Sequence, residues 1–320
     1  MRKAITLVEL LVVLVITIVV LSAVYFGYTF LFKKYIRQAA TSTIQIESAV
    51  GVEVLRQDIE HAGYGIGLDE PTLPIKTEID SSGNYHLKIH STYNVSNDQT
   101  RGWALVNCTG LGVSPNQLAP NPSSEPFPSN EAVFLNLSGD IASGYSSFSS
   151  CPNAGYYLAY PVPRLNLRSG ESFVCANQAC VEIEYYLYKS SSANPICPDL
   201  PSLGRKVSWK VRNGKTVGHL SPIVDCVADF KVRYDWGNRK YVDPVTDSAV
   251  VSATSGDERE NLKVVHVYLL VREGRYDPDY TFTGSTTVDG VTLRLPSSPD
   301  ALHYRWKVVK LSVEPMNLIK

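Results

Sequence analysis

The sequence predicts an α+β protein, in which one long N-terminal helix with a membrane-spanning first half is followed by a β-rich globular head. Two observations lead to this fold class. No charged residue occurs between Leu10 and Phe32, and about 20 apolar residues are enough for a helix to cross a bilayer. Much later, residues 181–188 alternate largely between polar and apolar side chains, which is typical of a strand buried on one face.

Glu9 stands at the front edge of the apolar run, where a simple membrane anchor has no need of an acid. A carboxylate near the bilayer centre costs about 2.5–3.5 kcal/mol, and ionisable residues in membrane segments usually have a function. A cleaved secretory signal fits poorly, because its apolar core is only about 7–15 residues long and ends in small residues. The acid therefore needs a functional explanation.

Residues 2–14, RKAITLVELLVVL, resemble the class III signal of type IV pilins and pseudopilins. The resemblance implies that a prepilin peptidase cuts between Ala4 and Ile5, removes residues 1–4 as a leader, and N-methylates Ile5. Two residues depart from the usual pattern, since Ala4 stands where glycine is usual and Ile5 where phenylalanine is most frequent. Both changes keep a small residue followed by an apolar one.

The same resemblance gives Glu9 the role of the family's assembly glutamate. Its carboxylate would neutralise the new amino group of Ile5 in a neighbouring subunit. A desolvated pair of opposite charges attracts strongly, whereas either charge left alone would cost several kcal/mol. We therefore expect residues 5–32 to serve as a membrane helix first and as a filament-core helix after assembly, with Glu9 directing the docking.

Residues 33–65 are predicted to form the second half of the helix, outside the membrane. No proline interrupts residues 36–62, and their apolar side chains cover a broad arc that can face the head and other helices. Residues 55–64, LRQDIEHAGY, are similar to the end of the first helix in PilW-type minor pilins, with Glu60 where a basic residue is usual. J-type pseudopilins share the start of this pattern. The helix is expected to end at three closely spaced glycines, Gly63, Gly65 and Gly67.

The head, residues 66–320, is predicted to be β-rich and to contain no further helix. An Asn213-Gly214 pair predicts a tight hairpin turn. Loops rich in proline, glycine and serine are expected at about residues 113–130 and 138–150. Strands at 221–234, 262–272 and 304–311 resemble the later strands of PilW-type proteins in order and spacing. The predicted strands are 85–93, 103–107, 132–137, 156–160, 181–188, 206–212, 228–236, 262–272 and 304–313.

Six cysteines lie outside the apolar run, and none belongs to a CxxC pair. This favours disulfide bonds in an oxidising compartment over a zinc or redox site, although six cysteines allow fifteen pairings and free buried thiols are the alternative. A short loop next to a strand makes one pair the first choice, and two further pairs would act as staples across loops. The expected pairs, in that order, are Cys175–Cys180, Cys108–Cys151 and Cys197–Cys226.

The sequence offers no argument for an enzyme, a cofactor or a metal site. His86 and His90 have a spacing that suits a metal on a helix, but on a strand they would lie about 13 Å apart. No phosphate-binding loop, nucleophile elbow or dinucleotide motif occurs, and the net charge of -1 gives no case for a nucleic-acid partner. A loop that could hold Ca²⁺ lacks an EF-hand pattern, so a solvated loop is favoured; its residues are Asp235, Asn238, Asp243 and Asp247.

The resemblance implies a minor pilin of a type IV pilus that takes part in priming assembly at the filament tip. Its partners would be other minor and major pilins, the prepilin peptidase, the inner-membrane assembly platform and, before assembly, the lipid bilayer. The head would lie in the periplasm first and at the cell surface later. Three alternatives stay open: a J-type pseudopilin of type II secretion, a pilin-displayed adhesin or ligand-binding module, and a membrane-anchored enzyme whose Ala4–Ile5 bond stays uncut.

Overall fold

The computed structural model describes residues 7–121, 125–189 and 197–318. The helices are α1 (Leu7–Glu60), α2 (Ser248–Val251) and α3 (Ser255–Asn261). The strands are β1 (Ile75–Ile79), β2 (Tyr85–Ser91), β3 (Ala104–Cys108), β4 (Asn116–Ala119), β5 (Glu131–Asn136), β6 (Ile141–Ser147), β7 (Gly155–Val162), β8 (Glu171–Phe173), β9 (Val181–Tyr188), β10 (Ser202–Arg212), β11 (Lys215–Val224), β12 (Val227–Trp236), β13 (Arg239–Val242), β14 (Leu262–Glu273), β15 (Thr287–Val288), β16 (Val291–Thr292) and β17 (Arg305–Val313).

The strands of the described residues form three large antiparallel sheets and one short ribbon. Sheet 1 has the order β1-β2-β9-β10-β11, with β8 also paired to β10. Sheet 2 has the order β4-β3-β7-β5-β6, sheet 3 the order β13-β12-β14-β17, and β15 pairs with β16. The expected α+β architecture, a long N-terminal helix followed by a β-rich head, is confirmed.

Helix α1 is continuous from Leu7 to Glu60, because no proline interrupts its backbone hydrogen bonds. Its apolar half contains hydroxyl side chains that bond to carbonyl groups of the preceding turn. The Thr17 hydroxyl donates to Val13 O at 2.9 Å, and the Ser22 hydroxyl donates to Ile18 O at 2.7 Å. These polar groups are therefore satisfied inside the helix, as a lipid environment requires.

The last turns of α1 pack into the main core of the head. Leu55 and Ile59 are completely buried there, together with side chains from sheet 1 and sheet 3. Among the largest are Tyr185 on β9, Phe230 on β12 and Tyr268 on β14. The helix thus supplies part of the hydrophobic core that holds sheets 1 and 3 together.

Sheet 2 has its own small core on one face and meets sheet 1 with the other. Phe134 is buried on the first face beside the cystine of Cys108 and Cys151. On the second face, Val133 lies in a cluster that includes Trp209 from β10. Sheet 2 is therefore attached to the rest of the head through apolar packing on this second face.

The structure differs from the sequence prediction in two loops and in two short helices. Strand β6 lies inside the predicted loop 138–150, and β4 lies inside the predicted loop 113–130. Both strands are held by backbone pairing to β5 and β3, which needs no alternation of apolar side chains. The prediction of no further helix is wrong as well. Helix α2 begins after the N-cap Asp247, and α3 begins after a capping box in which Thr254 and Asp257 bond reciprocally.

The hairpin predicted at Asn213-Gly214 is confirmed between β10 and β11. Both residues have positive φ, 50° and 72°, as the tightest hairpin turn requires. Arg212 and Lys215 pair directly across this turn. The nine predicted strands all correspond to strands of the structure, with ends that differ by a few residues.

Candidate functional site: the N-terminal helix and its seat in the head

The first part of α1 is long and apolar enough to cross a membrane. This segment, Leu7–Phe32, contains 26 residues, and none of its most apolar stretch is buried against the head. Glu9 lies exposed in its first turn. The predicted cleavage bond between Ala4 and Ile5, and the methylation site at Ile5, lie outside the described residues.

The position of Glu9 suits an acid at a helix start. The N-terminal end of a helix carries a partial positive charge, which favours a carboxylate in the first turn. In lipid, a carboxylate also needs a positive partner, because desolvation otherwise raises its free energy by several kcal/mol. Glu9 thus combines a favourable position at a helix start with the need for a positive partner in lipid.

Gly51 lets α1 lie directly against the backbone of β11. A Cβ atom at this position would lie 2.0 Å from the carbonyl oxygen of Ile223, far inside contact distance. Gly27, in the apolar half of the same helix, has nothing within 4 Å of the equivalent position. The close approach of helix to strand thus depends on the missing side chain at Gly51.

A buried ion pair joins the end of α1 to sheet 1. Asp58 and Arg205 are only 1% and 6% exposed. Arg205 binds both carboxylate oxygens, Nε to Oδ2 at 2.6 Å and Nη2 to Oδ1 at 3.0 Å. The Tyr185 hydroxyl also donates to Asp58 Oδ2. Arg205 has further bonds, to Ser96 Oγ and Asn94 Oδ1, both at 3.1 Å.

The charges of this pair compensate each other inside the core. Burial by itself lowers the pKa of Arg205, but the bonds to Asp58 outweigh it and raise that pKa above the ordinary value. Burial, followed by the nearby Asp58 charge, raises the pKa of Tyr185 well above its usual range. Arg205 therefore stays charged and Tyr185 stays a neutral donor at any physiological pH.

Sequence reasoning missed the role of Asp58, although a signal for it was present. Asp58 stands three residues after Leu55 and four before Ala62, on the helix face that the head buries. An acid among buried apolar positions needs a cationic partner. Its partner Arg205 is 147 residues away in sequence, so no local pattern could have identified it.

The chain leaves α1 through a turn that depends on glycine. Gly63 has φ +76°, and its amide donates to His90 O at 2.8 Å. Tyr64 then packs edge-on against Tyr160 of sheet 2, with ring centres 5.1 Å apart. The predicted helix end is therefore close to the observed one, and the turn connects α1 with sheet 2.

Residues near the other end of the described chain bind the last turn of α1. The amide of Met316 and the side-chain Nδ2 of Asn317 both donate to Glu60 O at 3.1 Å. Leu318 is buried and lies next to Gly63, where a Cβ atom would approach its side chain to 2.7 Å. These bonds satisfy a carbonyl group that a helix end would otherwise leave without an internal partner.

The loop closed by Cys175 and Cys180 is bonded to the turn that follows α1. Gln178 in this loop accepts from the amide of Gly67 at 2.8 Å and donates to Gly65 O at 2.9 Å. Glu70 accepts from two amides of the same loop, those of residues 176 and 177, at 3.0 and 2.9 Å. Fixing this loop therefore also fixes the turn after α1.

The three disulfide bonds of the structure have the pairings expected from the sequence. Each joins Cα atoms 5.6 to 5.8 Å apart, within the usual range for a cystine. The bond in sheet 2 connects β3 with the segment after β6, while the third connects the segment before β10 with the start of β12. The bonds are Cys175–Cys180, Cys108–Cys151 and Cys197–Cys226.

Helix α3 also binds the segment that follows α1. Glu258 accepts from the amide of Ile75 at 2.7 Å, and Arg259 Nη2 donates to Ile66 O at 3.2 Å. Burial raises the pKa of Glu258 well above its usual range, which favours its neutral form. Helix α3, which sequence reasoning missed, thus binds the segment between α1 and β1 at Ile66 and at the start of β1.

The strand histidines and the acidic loop are engaged in local contacts. His86 Nδ1 lies 3.0 Å from Glu184 Oε1, and His90 Nδ1 lies 2.7 Å from Leu73 O. Arginines bind two of the loop carboxylates, with Arg233 at 2.9 Å from Asp243 and Arg239 at 2.6 Å from Asp247. Asp235 accepts from the amide of Tyr241 at 3.0 Å. Within the described ranges, no group of three acidic, histidine or cysteine side chains could hold a metal ion.

Comparison with models of known protein families finds no match, and neither does comparison with curated protein sequences. Among solved structures, one similar chain is the type IV-like pilin TTHA1219 from Thermus thermophilus. It is 12% identical with a TM-score of 0.39, and the match covers 86% of this chain and 97% of that chain. A likeness this low carries no argument about function, so the proposals below depend on the residues of this chain.

Proposed function

We propose that this protein is a minor pilin of a type IV pilus. The observation that carries the proposal is the exposed apolar segment Leu7–Phe32 with Glu9 in its first turn, continuous with a helical half that is seated in a β-rich head. Such a helix suits two environments in turn, a lipid bilayer and a bundle of similar helices. A plain anchor would explain the length of the segment but not the acid.

The mechanism of assembly follows from the charges at the helix start. The resemblance of residues 2–14 to a prepilin signal supports cleavage before Ile5, which would leave a positive amino group four residues before Glu9. The carboxylate of one subunit can neutralise the amino group of the next, and neither charge then stays alone in an apolar bundle. Withdrawal from the membrane and docking in the filament are thereby coupled.

The proposal of a priming role at the tip has narrower support. Residues 55–64 resemble the helix end of PilW-type minor pilins, and Asp58 in that run binds Arg205 in the core. The head, residues 66–320, is larger than packing along a shaft would need. Its partners would be other minor and major pilins, the prepilin peptidase and the inner-membrane assembly platform, with the head in the periplasm before assembly and at the cell surface afterwards.

Intact-mass spectrometry of the protein isolated from its native membranes tests the proposal directly. The expected mass is that of a chain beginning at Ile5 and carrying one methyl group on its amino terminus. The control is the same protein from cells without prepilin peptidase, which should keep residues 1–4 and lack the methyl group. An uncut Ala4–Ile5 bond in peptidase-containing cells would overturn the proposal and favour a permanently anchored periplasmic protein.

A second measurement separates a pilus subunit from a secretion pseudopilin. Pili sheared from the cell surface should contain the protein at low abundance relative to the major pilin. Its deletion should reduce the number of surface pili and leave protein secretion unchanged. Loss of secretion with normal piliation would assign the chain to a type II secretion system instead.

A further inference from the structure

A cleft of about 610 Å³ lies between sheets 1 and 2 of the head. One wall is the β10–β11 hairpin, and the other is the segment after β7, which includes Arg164. The amide of Leu165 donates to the Tyr145 hydroxyl at 2.9 Å, so this second wall is held to sheet 2. The volume lies within the range of about 300–1,000 Å³ that is usual for small-molecule sites.

The ionisable side chains that line the cleft are all basic. Four of them can carry positive charge, and no aspartate or glutamate is among the lining residues. Arg205 is neutralised by Asp58 in the core, and Lys210 binds Glu171 at 2.8 Å. The remaining two, Arg164 and His219, are exposed.

Arg164 and His219 are available to a ligand. Within the described part of the chain, neither side chain forms a hydrogen bond or an ion pair. Arg164 thus presents a positive charge without an ion-pair partner among the described residues in a concave site. A guanidinium group in such a site can bind a carboxylate through two parallel hydrogen bonds.

Trp209 gives the cleft an aromatic surface. It occupies a β-bulge, because the pairing of β10 with β11 shifts register between Ser208 and Lys210. Bulges commonly redirect a side chain next to a binding site. Trp209 is half-buried, and its indole N–H donates no hydrogen bond within the described residues. An aromatic face with a free donor suits a ring that has one apolar face and polar edges.

Opposite the bulge, β11 has a glycine. A Cβ atom on Gly218 would lie 2.1 Å from Val207 O and 2.2 Å from Ser208 Oγ. The absence of a side chain there allows the close pairing of the two strands beside Trp209. Asn94 and Ser96 also line the cleft and both accept hydrogen bonds from Arg205, while the hydroxyl proton of the exposed Ser96 can still donate to a ligand.

We propose that this cleft binds an acidic saccharide, with the sugar ring against Trp209 and its carboxylate on Arg164. A sugar acid combines a ring with an apolar face, hydroxyl edges and a single negative group, and the cleft offers a partner for each. A single-stranded nucleic acid fits less well, because it needs a track of positive charges along many phosphates. This inference goes beyond the proposed assembly function and does not depend on it.

Titration calorimetry on the full chain in detergent micelles tests the inference with trigalacturonate and sialyllactose as acidic probes and lactose as the neutral control. At least one acidic probe should bind with a dissociation constant below about 1 mM, and lactose should not bind in that range. Arg164→Gln should weaken binding about tenfold, because it removes one charge-assisted contact. The matched control is Arg168→Gln, an exposed arginine in the same segment that does not line the cleft, which should leave affinity unchanged.

Two outcomes would overturn the inference. One is the absence of binding by both acidic probes at millimolar concentration. The other is tighter binding of a short oligothymidylate that Arg164→Gln abolishes, which would assign the cleft to nucleic acid. Trp209→Phe provides an independent readout, since it should weaken saccharide binding while thermal unfolding in the same micelles shows whether the head is still folded.

Discussion

At the scale of single residues, Glu9 carries the clearest expectation. Glu9→Ala should leave membrane insertion intact, because it makes the apolar segment more apolar. The variant should nevertheless be depleted from sheared pili, because the docking charge is absent. Quantitative immunoblots of membrane and pilus fractions would measure both effects.

The matched control for Glu9 is Leu10→Ala at the neighbouring, equally exposed position. It removes apolar surface without changing charge, and the protein should still be found in pili. Normal incorporation of Glu9→Ala would contradict the assembly role that we propose for the carboxylate.

Asp58 is a second residue with a sharp expectation. Asp58→Asn keeps the shape of the side chain but leaves the buried charge of Arg205 uncompensated. The free energy of unfolding should fall by about 3–5 kcal/mol, as is usual when one member of a buried pair is removed. Denaturant titration of the full chain in micelles, followed by near-UV circular dichroism of the head, would measure the change.

The control for Asp58 is Glu53→Gln on the same helix. Glu53 binds Arg56 at 2.9 Å on the exposed side of α1, and surface pairs of this kind contribute little. Its unfolding midpoint should therefore stay close to that of the parent. Equal unfolding midpoints for both variants would show that the Asp58–Arg205 pair does not stabilise the packing of α1 against the head.

The lowered pKa of Glu171 predicts how the stability of the head depends on pH. Three hydrogen bonds lower the pKa of Glu171 from 4.5 to about 2. The bond from Lys210 has the largest effect, followed by the bonds from the Arg168 amide and from Arg212. The stabilisation is therefore complete above pH 4.5 and is lost as the pH falls from 4.5 towards 2. The parent should be more stable than Glu171→Gln at pH 7, and the difference should disappear near pH 2.

Glu131→Gln on β5 serves as the comparison for this pH profile, since no ion pair engages that carboxylate among the described residues. Thermal midpoints of the three proteins between pH 2 and pH 7 would provide the profile. A difference between parent and Glu171→Gln that does not change with pH would contradict the ion-pair explanation.

At the scale of elements, the contact between α1 and β11 depends on one glycine. Gly51→Ala places a Cβ atom 2.0 Å from Ile223 O, so the helix or the strand must move. Overpacking of this kind costs about 1–3 kcal/mol, and unfolding of the head by denaturant should show that loss. The backbone amides of Ser221, Ile223 and Val224 should also exchange faster with solvent.

Gly27→Ala is the matched substitution in the same helix, at a position with nothing within 4 Å. It should leave the unfolding of the head unchanged. A destabilisation equal to that of Gly51→Ala would mean that helix composition, and not the contact with β11, determines the result.

The sequence predicted the elements whose own residues encode them. Helix α1 has its uncharged, proline-free run, β9 has its alternation, and the β10–β11 turn has its Asn-Gly pair. Strand β6 was missed because its sequence, IASGYSS, is poor in apolar residues and its partner β5 supplies the pairing. Helix α3 was missed because its seven residues, SGDEREN, contain no apolar period, although the Thr254 capping box was readable.

The candidate site also contains residues that the sequence singles out and residues that only the fold brings together. The sequence singles out Glu9, because an acid at the edge of a long apolar segment violates a simple physical rule. Arg205 could not, because the sheet alone brings it to Asp58. The same holds for the cleft beside Trp209. Its walls, residues 164–166 and 205–221, come together only when sheet 2 packs against sheet 1.

At the scale of the whole molecule, the loop closed by Cys175–Cys180 links a disulfide bond to the turn after α1. Replacing Cys175 and Cys180 by serine together should loosen Gln178 and Glu70, which hold the turn after α1. Hydrogen exchange should then increase at residues 63–70, and the head should lose about 2–4 kcal/mol of stability at most. Removing Cys108 and Cys151 should increase exchange in sheet 2 and leave residues 63–70 protected.

Protected residues 63–70 in the first double variant would contradict the coupling between this loop and the helix. Increased exchange at the same residues in both variants would mean that any lost cystine loosens the whole head. Only a local response distinguishes the role of the Cys175–Cys180 loop.

The hydrogen bond from Asn317 to Glu60 O joins residues 257 positions apart, and this has a consequence for biosynthesis. The ribosome makes the helix first, but its last turn cannot acquire this partner until residue 317 has been synthesised and has reached the same compartment. In the pilin that we propose, the helix would therefore wait in the bilayer until this part of the head has crossed it. A chain cut before residue 317 would never form this bond.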